Sequence, residues 1–498
     1  MFKPFVKKCG LLIIWTDCDR EGENIGGSVR DICKAAKPNI TVKRARFSEI
    51  TSQAVHNALR NLILLNERVI DAVDVRQELD LRIGASFTRL QSLYLQKKFP
   101  ELARDIISYG SCQFPTLGFI VERWRAIQDF QAEPFWKIEA QHSRDGVNTI
   151  FNWDRGRLFS EDAAKALYED VMALPTAQVT YIESKPKSKY RPTPLETVEM
   201  EKKGRMLNMS AKQIMSVAEK LYIDGYISYP RTETNIFPKS LNLTPLVEHQ
   251  QQDGRFSQFV GELLQNGLHP RNGKKTDEAH PPIHPLKSGA GLSGEGARLF
   301  EFIARRFLAT LSRDAKGFET VCRITINDEI FQAKGLVVTD KGYLEVYPYE
   351  KWSDKTLPEY QLHERFTLGS IDLNAGSTSA PLLLSESDLI GLMDKYGIGT
   401  DATHADHIDK IQTRKYVSLN REKRFLPASL GIGLVSAYDA LEIPLAGHQL
   451  RSNLERDLVR IEQGEKSKAT GMGFYFNTTN TTYQVSYELV IKPSYCAQ

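Results

Sequence analysis

Apolar–polar alternation, the mark of half-buried strands, occurs in two separate blocks of this chain, and the stretch between them is helical by pattern. The first block covers residues 135–185, with Trp136, Ile138 and Ala140 and later Ala177, Val179 and Tyr181 on one phase; the second covers 318–375. A strand-rich unit split in this way predicts one domain interrupted by another, and at 498 residues the chain is long enough for several domains. The polar run KPKSKYRPTP (185–194) reads as a linker into the insert. Inside the insert, Ser210 and Gln213 form a capping box, Ile214, Val217, Ala218 and Leu221 give one apolar helical face, and Gly225 stops that helix. Tyr226 to Arg231 therefore follow a well-defined helix end. A further helix is predicted from Gly294 to Leu311, and a helical block from Ser385 onward.

The start of the chain has a different character. LLIIWT (11–16) is a short, nearly continuous apolar run, as expected of a strand buried on both faces of a parallel sheet. A helix from Glu23 to Ala35 and a second α/β unit over Thr41 to Leu65 would complete a small open α/β domain. A long helix is predicted over Arg68 to Phe99, and the glycine-punctuated segment 109–124 leads into another.

Composition adds mainly exclusions. With 65 basic and 62 acidic residues the net charge is +3, so nucleic-acid binding would have to come from local clusters. Lys43, Arg44 and Arg46 form one such cluster; Lys185, Lys187, Lys189 and Arg191 form another, although a bare basic cluster is more often a solvated surface. No apolar run approaches the ~20 residues that span a bilayer, and no secretory leader is read at the start. Six scattered cysteines without a CxxC pair argue against a disulfide scaffold and against a structural zinc site.

Directly after the apolar run, Asp17, Asp19 and Glu21 alternate in TDCDREGEN. On an extended chain they would point to one side, at the carboxyl end of a parallel strand where open α/β sheets place their sites. Three neighbouring carboxylates repel one another unless a hard divalent cation such as Mg²⁺ neutralises them. The alternative is an acidic loop that caps the following helix. With Arg20 and Gly22 interleaved, the DxDREGE pattern resembles the metal-binding half of a TOPRIM domain, shared by topoisomerases, primases and some nucleases.

GYISYPRTETNIFP (225–238) carries the more specific resemblance. Ser228 to Thr234 is similar to the active-site segment of type IA DNA topoisomerases, and the Asn235–Pro238 continuation is most similar to the topoisomerase III alpha branch. The chemistry is consistent with that likeness. A phenol with a pKa near 10 is a poor nucleophile at neutral pH, and a guanidinium two residues on can stabilise its anion and grip a phosphate. Pro230 between them restricts the backbone. An isolated tyrosine here would more simply be a half-buried strand residue.

Further co-linear segments resemble the same family. In YGSCQFPTLG (109–118), Gln113 matches a DNA-backbone contact; in DEAHPPIHP (277–285), His280 matches the residue that assists phosphate positioning; in 395–417, Thr403 matches a contact in the single-strand groove. Residues 427–438 continue the match. His280 and His284 have i, i+4 spacing, but Pro281 and Pro282 argue against a metal-binding helix, and His404 and His407 read as ordinary helix residues. In all, the resemblance covers about nine-tenths of the chain, Leu11 to Gly464.

The resemblance implies a multidomain α/β plus α fold, a type IA topoisomerase toroid with a partial TOPRIM domain, a strand-rich arch domain and helical domains. It divides the chain into the partial TOPRIM domain (1–66), a helical DNA-groove domain (67–125 and 385–465), the arch (126–190 and 318–384), a helical domain carrying the active-site tyrosine (191–317) and an atypical tail (466–498). It implies attack by Tyr229 on a phosphodiester of single-stranded DNA with Arg231 stabilising the transition state, a 5′-phosphotyrosine intermediate, strand passage, and resealing without ATP. No GxxxxGK(S/T) phosphate loop is present. Mg²⁺ would be held by Asp17, Asp19 and Glu21, and DNA contacted by Gln113, His280 and Thr403. A RecQ-family helicase and a small OB-fold cofactor are the implied partners, in the nucleus and without a membrane.

One departure bears on activity. Family members carry another strand ahead of the DxD segment, with a glutamate that protonates the leaving oxygen and a lysine on the phosphate. No glutamate precedes Glu21 here, so a truncated TOPRIM sheet with exposed apolar surface is expected. A cleavage-defective single-strand binding or interaction fragment is the alternative function. A TOPRIM primase or nuclease would leave Ser228 to Thr234 unexplained.

Overall fold

The computed structural model describes residues 3–470 apart from 278, 400–402 and 443. Most of the atypical tail expected from residue 466, and residues 400–402 of the expected groove segment, thus lie outside the described residues.

A short helix α1 (Lys3–Val6) leads into β1 (Leu11–Ile14), followed by α2 (Arg20–Ala36), β2 (Thr41–Arg44) and α3 (Ser52–Arg60). β1 and β2 pair in parallel, Leu11 opposite Thr41 through Ile14 opposite Arg44. Among the described residues this sheet has these two strands, with a single antiparallel bridge from Ile63 to Arg44 at its edge. The expectation of a strand buried on both faces is therefore corrected: only Ile14 is buried, while Leu11 is 46% exposed, because a two-stranded sheet has too few neighbours to cover it. Arg44 departs from both readings of its basic cluster, solvated surface or DNA-facing patch, since its side chain is fully buried.

α4 (Glu67–Lys98) is a 32-residue helix, roughly 48 Å long at 1.5 Å per residue, capped by Asn66, whose side chain accepts from the Arg68 N–H. α5 (Gln113–Gln128) follows. The strand-rich block opens with β3 (Pro134–Arg144) and β4 (Val147–Trp153), continues through α6 (Glu161–Ala173) and closes with β5 (Thr176–Lys189). The insert contains α7 (Thr197–Glu201), α8 (Gly204–Leu207), α9 (Ala211–Ile223), α10 (Leu243–Gln250), α11 (Ser257–Asn266) and α12 (Gly294–Leu311). The chain then returns to the sheet as β6 (Ala315–Ile326), β7 (Glu329–Asp340), β8 (Arg365–Thr367) and β9 (Ser370–Ser377).

These strands form one seven-stranded antiparallel sheet in the order β8-β5-β6-β7-β4-β3-β9, so the two alternating blocks of the sequence are halves of a single sheet. β5 and β6 run side by side from Gln178 opposite Thr325 to Lys189 opposite Ala315. The expected linker at 185–194 is corrected on this ground: its first five residues are strand. The sheet has its own core around Phe151, Trp153, Ile324 and Phe331.

The last part of the described chain is α13 (Glu386–Tyr396), α14 (His404–Thr413), the hairpin β10 (Val417–Leu419) and β11 (Phe425–Pro427), α15 (Ser429–Ala440) and α16 (Gln449–Glu462). The largest core joins this helical block and α5 to α9 and α12 of the insert, through Phe114, Leu117, Ile214, Ile303, Ile390 and Ile408 among others. That shared core seats the insert against the rest of the molecule. Among the described residues no helix is long and apolar enough to cross a membrane.

Candidate active site

Tyr229 reaches its position through a sharp exit from α9. The helix ends in a Ser210/Gln213 capping box at one side and Asp224 at the other, and Gly225 takes φ +68°, a left-handed conformation that only glycine adopts readily. Beyond it the backbone is laced to the proline-rich segment. Ile227 bridges Pro285, the Ser228 N–H donates to the His284 carbonyl at 3.0 Å, and Ser228 Oγ donates to the Pro282 carbonyl at 3.1 Å. The Tyr229 N–H donates to the Ser48 carbonyl at 3.0 Å, which ties the tyrosine segment to the N-terminal α/β unit.

The Tyr229 phenol is nearly buried and donates to Asp19 Oδ2 at 2.5 Å. Its ring stands edge-on to Tyr222 at 5.2 Å between centroids and lies against the His280 ring at 4.7 Å. The Tyr222 hydroxyl in turn donates to Asp17 Oδ1 at 3.3 Å. Two phenols thus face two carboxylates. Burial, then the negative charge of Asp19, pushes the Tyr229 phenol well above its usual range, and only Arg231 works the other way. Burial and Asp17 do the same to Tyr222, while burial and Asp19 raise the carboxyl of Asp17. In this arrangement Tyr229 is a neutral hydrogen-bond donor.

Arg231 is clamped by Glu219 of α9, which accepts from its Nε at 3.0 Å and its Nη2 at 2.6 Å. Burial opposes the guanidinium charge, but the Glu219 contact outweighs it and the group is held firmly cationic. His280 Nδ1 lies 3.4 Å from Asp277 Oδ2, and its Nε2 is buried without a hydrogen-bond partner. Burial would raise the Asp277 carboxyl, yet hydrogen bonds from the side chain and backbone of His280 hold it well below the carboxylate range.

The acidic loop owes its shape to Arg44. The buried guanidinium donates to the carbonyls of Thr16 (2.8 Å), Asp17 (2.5 Å) and Ala45 (2.8 Å) and to Glu23 Oε2 (3.0 Å). Gly22 closes on this loop so tightly that a Cβ there would sit 2.0 Å from the Asp17 carbonyl oxygen.

The expected alternation of Asp17, Asp19 and Glu21 on extended chain is corrected. Helix α2 begins at Arg20, and Asp19 is its N-cap, accepting from the Gly22 N–H at 2.7 Å. At about 100° of rotation per residue, Glu21 faces elsewhere and pairs with Arg76 Nη2 at 2.5 Å. Asp17 and Asp19 stay together; Glu21 does not join them. Among the described residues no group of three His, Cys, Asp or Glu side chains is gathered for a metal ion. As a donor set for Mg²⁺, the raised Asp17 carboxyl beside Asp19 fits a cation, and Glu21 does not fit as the third ligand in this arrangement.

A cleft of about 1040 Å³ opens on this centre and is lined by Asp19, Arg20, Arg46, Arg231 and His280 among others. Gln113 and Thr403 are not among its lining residues. Gln113 is buried in the first turn of α5, its Oε1 accepting from Arg414 at 2.5 Å, and Thr403 sits at the start of α14 with its Oγ1 3.3 Å from His407 Nε2. Sequence reasoning missed Glu219, Arg76 and the structural role of Arg44. Separations such as the twelve residues between Glu219 and Arg231 follow no helical or strand period, so nothing in the pattern pairs them.

The fold is that of type IA topoisomerases. The structure matches full-length topoisomerase I from Thermotoga maritima with a TM-score of 0.78 over 97% of this chain and 79% of that one, at 21% sequence identity. Residues 1–50 match the Toprim domain model, and residues 65–472 match the model described as DNA topoisomerase. The chain belongs to the type IA DNA topoisomerase family. It is similar to DNA topoisomerase 3-alpha of Mus musculus, at 56% identity over 463 residues covering 92% of this chain and 46% of the relative. The human protein of the same name gives 55% over 466 residues, 93% and 46%, and DNA topoisomerase 3 of Caenorhabditis elegans gives 50% over 466 residues, 92% and 61%. The chain thus spans about half the length of the mouse and human relatives.

Proposed function

We propose that this chain cuts and reseals single-stranded DNA through Tyr229. The observation that carries the proposal is the Tyr229 hydroxyl at 2.5 Å from Asp19, which lines the cleft together with Arg231 and His280. The phenol oxygen attacks the scissile phosphorus and the bond from phosphorus to the 3′ oxygen breaks, leaving a 5′-phosphotyrosine and a 3′ alkoxide that takes a proton from solvent to become the 3′-hydroxyl. Asp19 already accepts the phenol's hydrogen bond and is the group positioned to take its proton. Arg231, oriented by Glu219, meets the charge that develops on the phosphate, and His280 assists in positioning it. Resealing is the reverse displacement, and since the covalent bond keeps the phosphodiester energy, no ATP is consumed.

Asp17 and Asp19 would hold Mg²⁺, which when bound supplies positive charge beside the two carboxylates. Glu21 could join them only on leaving Arg76. Gln113 and Thr403, neither of which lines the cleft, are proposed DNA contacts on the family resemblance of their segments. Family similarity supports a nuclear protein that works with a RecQ-family helicase and a small OB-fold partner, relaxing negative supercoils and resolving recombination intermediates.

The test is a covalent-adduct assay with an end-labelled single-stranded oligonucleotide and the full chain. The expected result is a denaturant-resistant protein–DNA species that Tyr229→Phe abolishes. Oligonucleotide binding with no adduct under any divalent-metal condition would establish the binding-fragment alternative instead.

A further inference from the structure

The cleft that carries Arg231 has one apolar edge. Between α3 and α4 the chain presents Ile63, Leu64 and Leu65 to the cleft, with Ile63 43% and Leu64 69% exposed. Single exposed leucines are ordinary on protein surfaces. Here three apolar residues stand in sequence on a cleft otherwise rich in charge, and the lip they form is fixed. The Ile63 N–H donates to the Arg44 carbonyl at 2.9 Å and the Ile63 carbonyl accepts from the Arg44 N–H at 2.8 Å, so the lip is paired with the same residue that shapes the acidic loop. On its far side the Asn66 N–H donates to Glu23 Oε1 at 2.6 Å, and the Asn66 side chain caps α4. Leu65 rests over Gly26, where even a Cβ would come within 3.1 Å of its Cδ2. The fold thus holds Leu64 out in the cleft.

Resting on the proposed DNA-cutting role of the cleft, we propose that the Ile63–Leu65 lip is a subsite for the face of an unpaired nucleobase of the bound strand. The same cleft is lined by both signs of charge. Arg20, Arg46, Arg68 and Arg231 are cations of the kind that meet backbone phosphates, and they stand among carboxylates such as Asp19, Glu233 and Glu462, the last of them paired with Arg20. An apolar ledge beside such cations suits a single strand, whose bases can splay and lay a flat face on it; in a duplex those faces are stacked away.

The experiment is a titration of the full chain into a single-stranded oligonucleotide carrying one 2-aminopurine, with emission and Kd followed across a salt series. Leu64→Asn is expected to raise the Kd about five- to tenfold and abolish the emission change, with the slope of log Kd against log salt unaltered, because no phosphate contact is lost. Leu64→Phe should bind at least as tightly as the parent. Leu174→Asn, an equally exposed leucine (62%) in the strand-rich unit, serves as the control and should change nothing. Unchanged Kd and emission in Leu64→Asn, with Tyr229 adduct formation intact, overturns the subsite and leaves the proposed function standing; that is also the outcome if the lip is a protein-docking surface. A shallower salt slope overturns it in favour of lost phosphate contacts. Failure of the parent chain to bind the oligonucleotide overturns both.

Discussion

Arg44 and Glu201 show two opposite fates of a buried charge beside the cleft. Arg44 meets the carbonyls of Ile14, Thr16, Asp17 and Ala45 as well as Glu23, so its burial is compensated and the acidic loop is fixed by it. Glu201 is 1% exposed and no side chain hydrogen-bonds its carboxylate; only the Ala405 backbone and the more distant charge of Arg231 ease it, and His404 Nδ1 is 3.6 Å away. Burial pushes the Glu201 carboxyl well above its usual range and pushes His404 down to about 4, so both groups favour their neutral forms. For an acid whose pKa rises on folding, the folded state bears the full penalty above that raised pKa and is relieved of it as the pH falls. Glu201→Gln should therefore stabilise the fold by about 1–3 kcal/mol at pH 8, and the gain should shrink toward pH 5. Thermal melts of both proteins across that range check the sign; a variant less stable at pH 8 would refute it. At this scale the segments that the fold brings together around Tyr229, Arg231, Asp17, Asp19 and His280 were legible because they are locally distinctive; the roles of these residues are those proposed above. Glu219 and Arg76 were not, because each acts through a partner that only the folded chain brings near.

Asp19 joins the scale of the residue to that of the element, since one carboxylate both caps α2 and receives the Tyr229 hydroxyl. The two roles separate by substitution. Asn is as good an N-cap as Asp, so Asp19→Asn should leave stability nearly unchanged, whereas Asp19→Ala should cost about 1 kcal/mol; both should lose most of the covalent adduct. Urea denaturation alongside the adduct assay measures the pair, and equal destabilisation by both would remove the capping role. The capping box at Ser210 was readable because such signals are local, whereas at Ser385 only the start of a helical block was expected and the structure adds a capping box with Asp388. The start of α2 was misplaced by three residues because the acids that cap a helix also look like alternating ligands. α6 was missed inside the alternating block: only Ala164 and Val171 of its thirteen residues are buried, so its apolar stripe is thin. The end of β5 passed for a linker because β8 covers only Thr176 to Gln178, leaving the rest of that edge open, and lysines and proline are what an open edge tolerates.

On the scale of the whole molecule, the proposed strand passage would require the insert to part from the N-terminal unit and from the C-terminal helices. Besides the apolar core it shares with α5 and the C-terminal helices, the insert is held by polar contacts that include Tyr229 to Ser48 and Asp19, Tyr222 to Asp17, and the exposed Lys212–Asp409 pair joining α9 to α14. Joining Lys212→Cys to Asp409→Cys with a short bismaleimide should leave adduct formation on an oligonucleotide intact while reducing plasmid relaxation at least about tenfold, since chemistry needs the closed form and passage the open one. Relaxation at the parent rate with the link in place would show that the insert need not move there. The insert's two covalent attachments have a consequence of their own. Lys189, where the chain departs, and Ala315, where it returns, are register partners on neighbouring strands. A body moored at two adjoining points behaves as a door on its jamb: it can swing wide without stretching either mooring, and it comes back to the same frame each time it shuts.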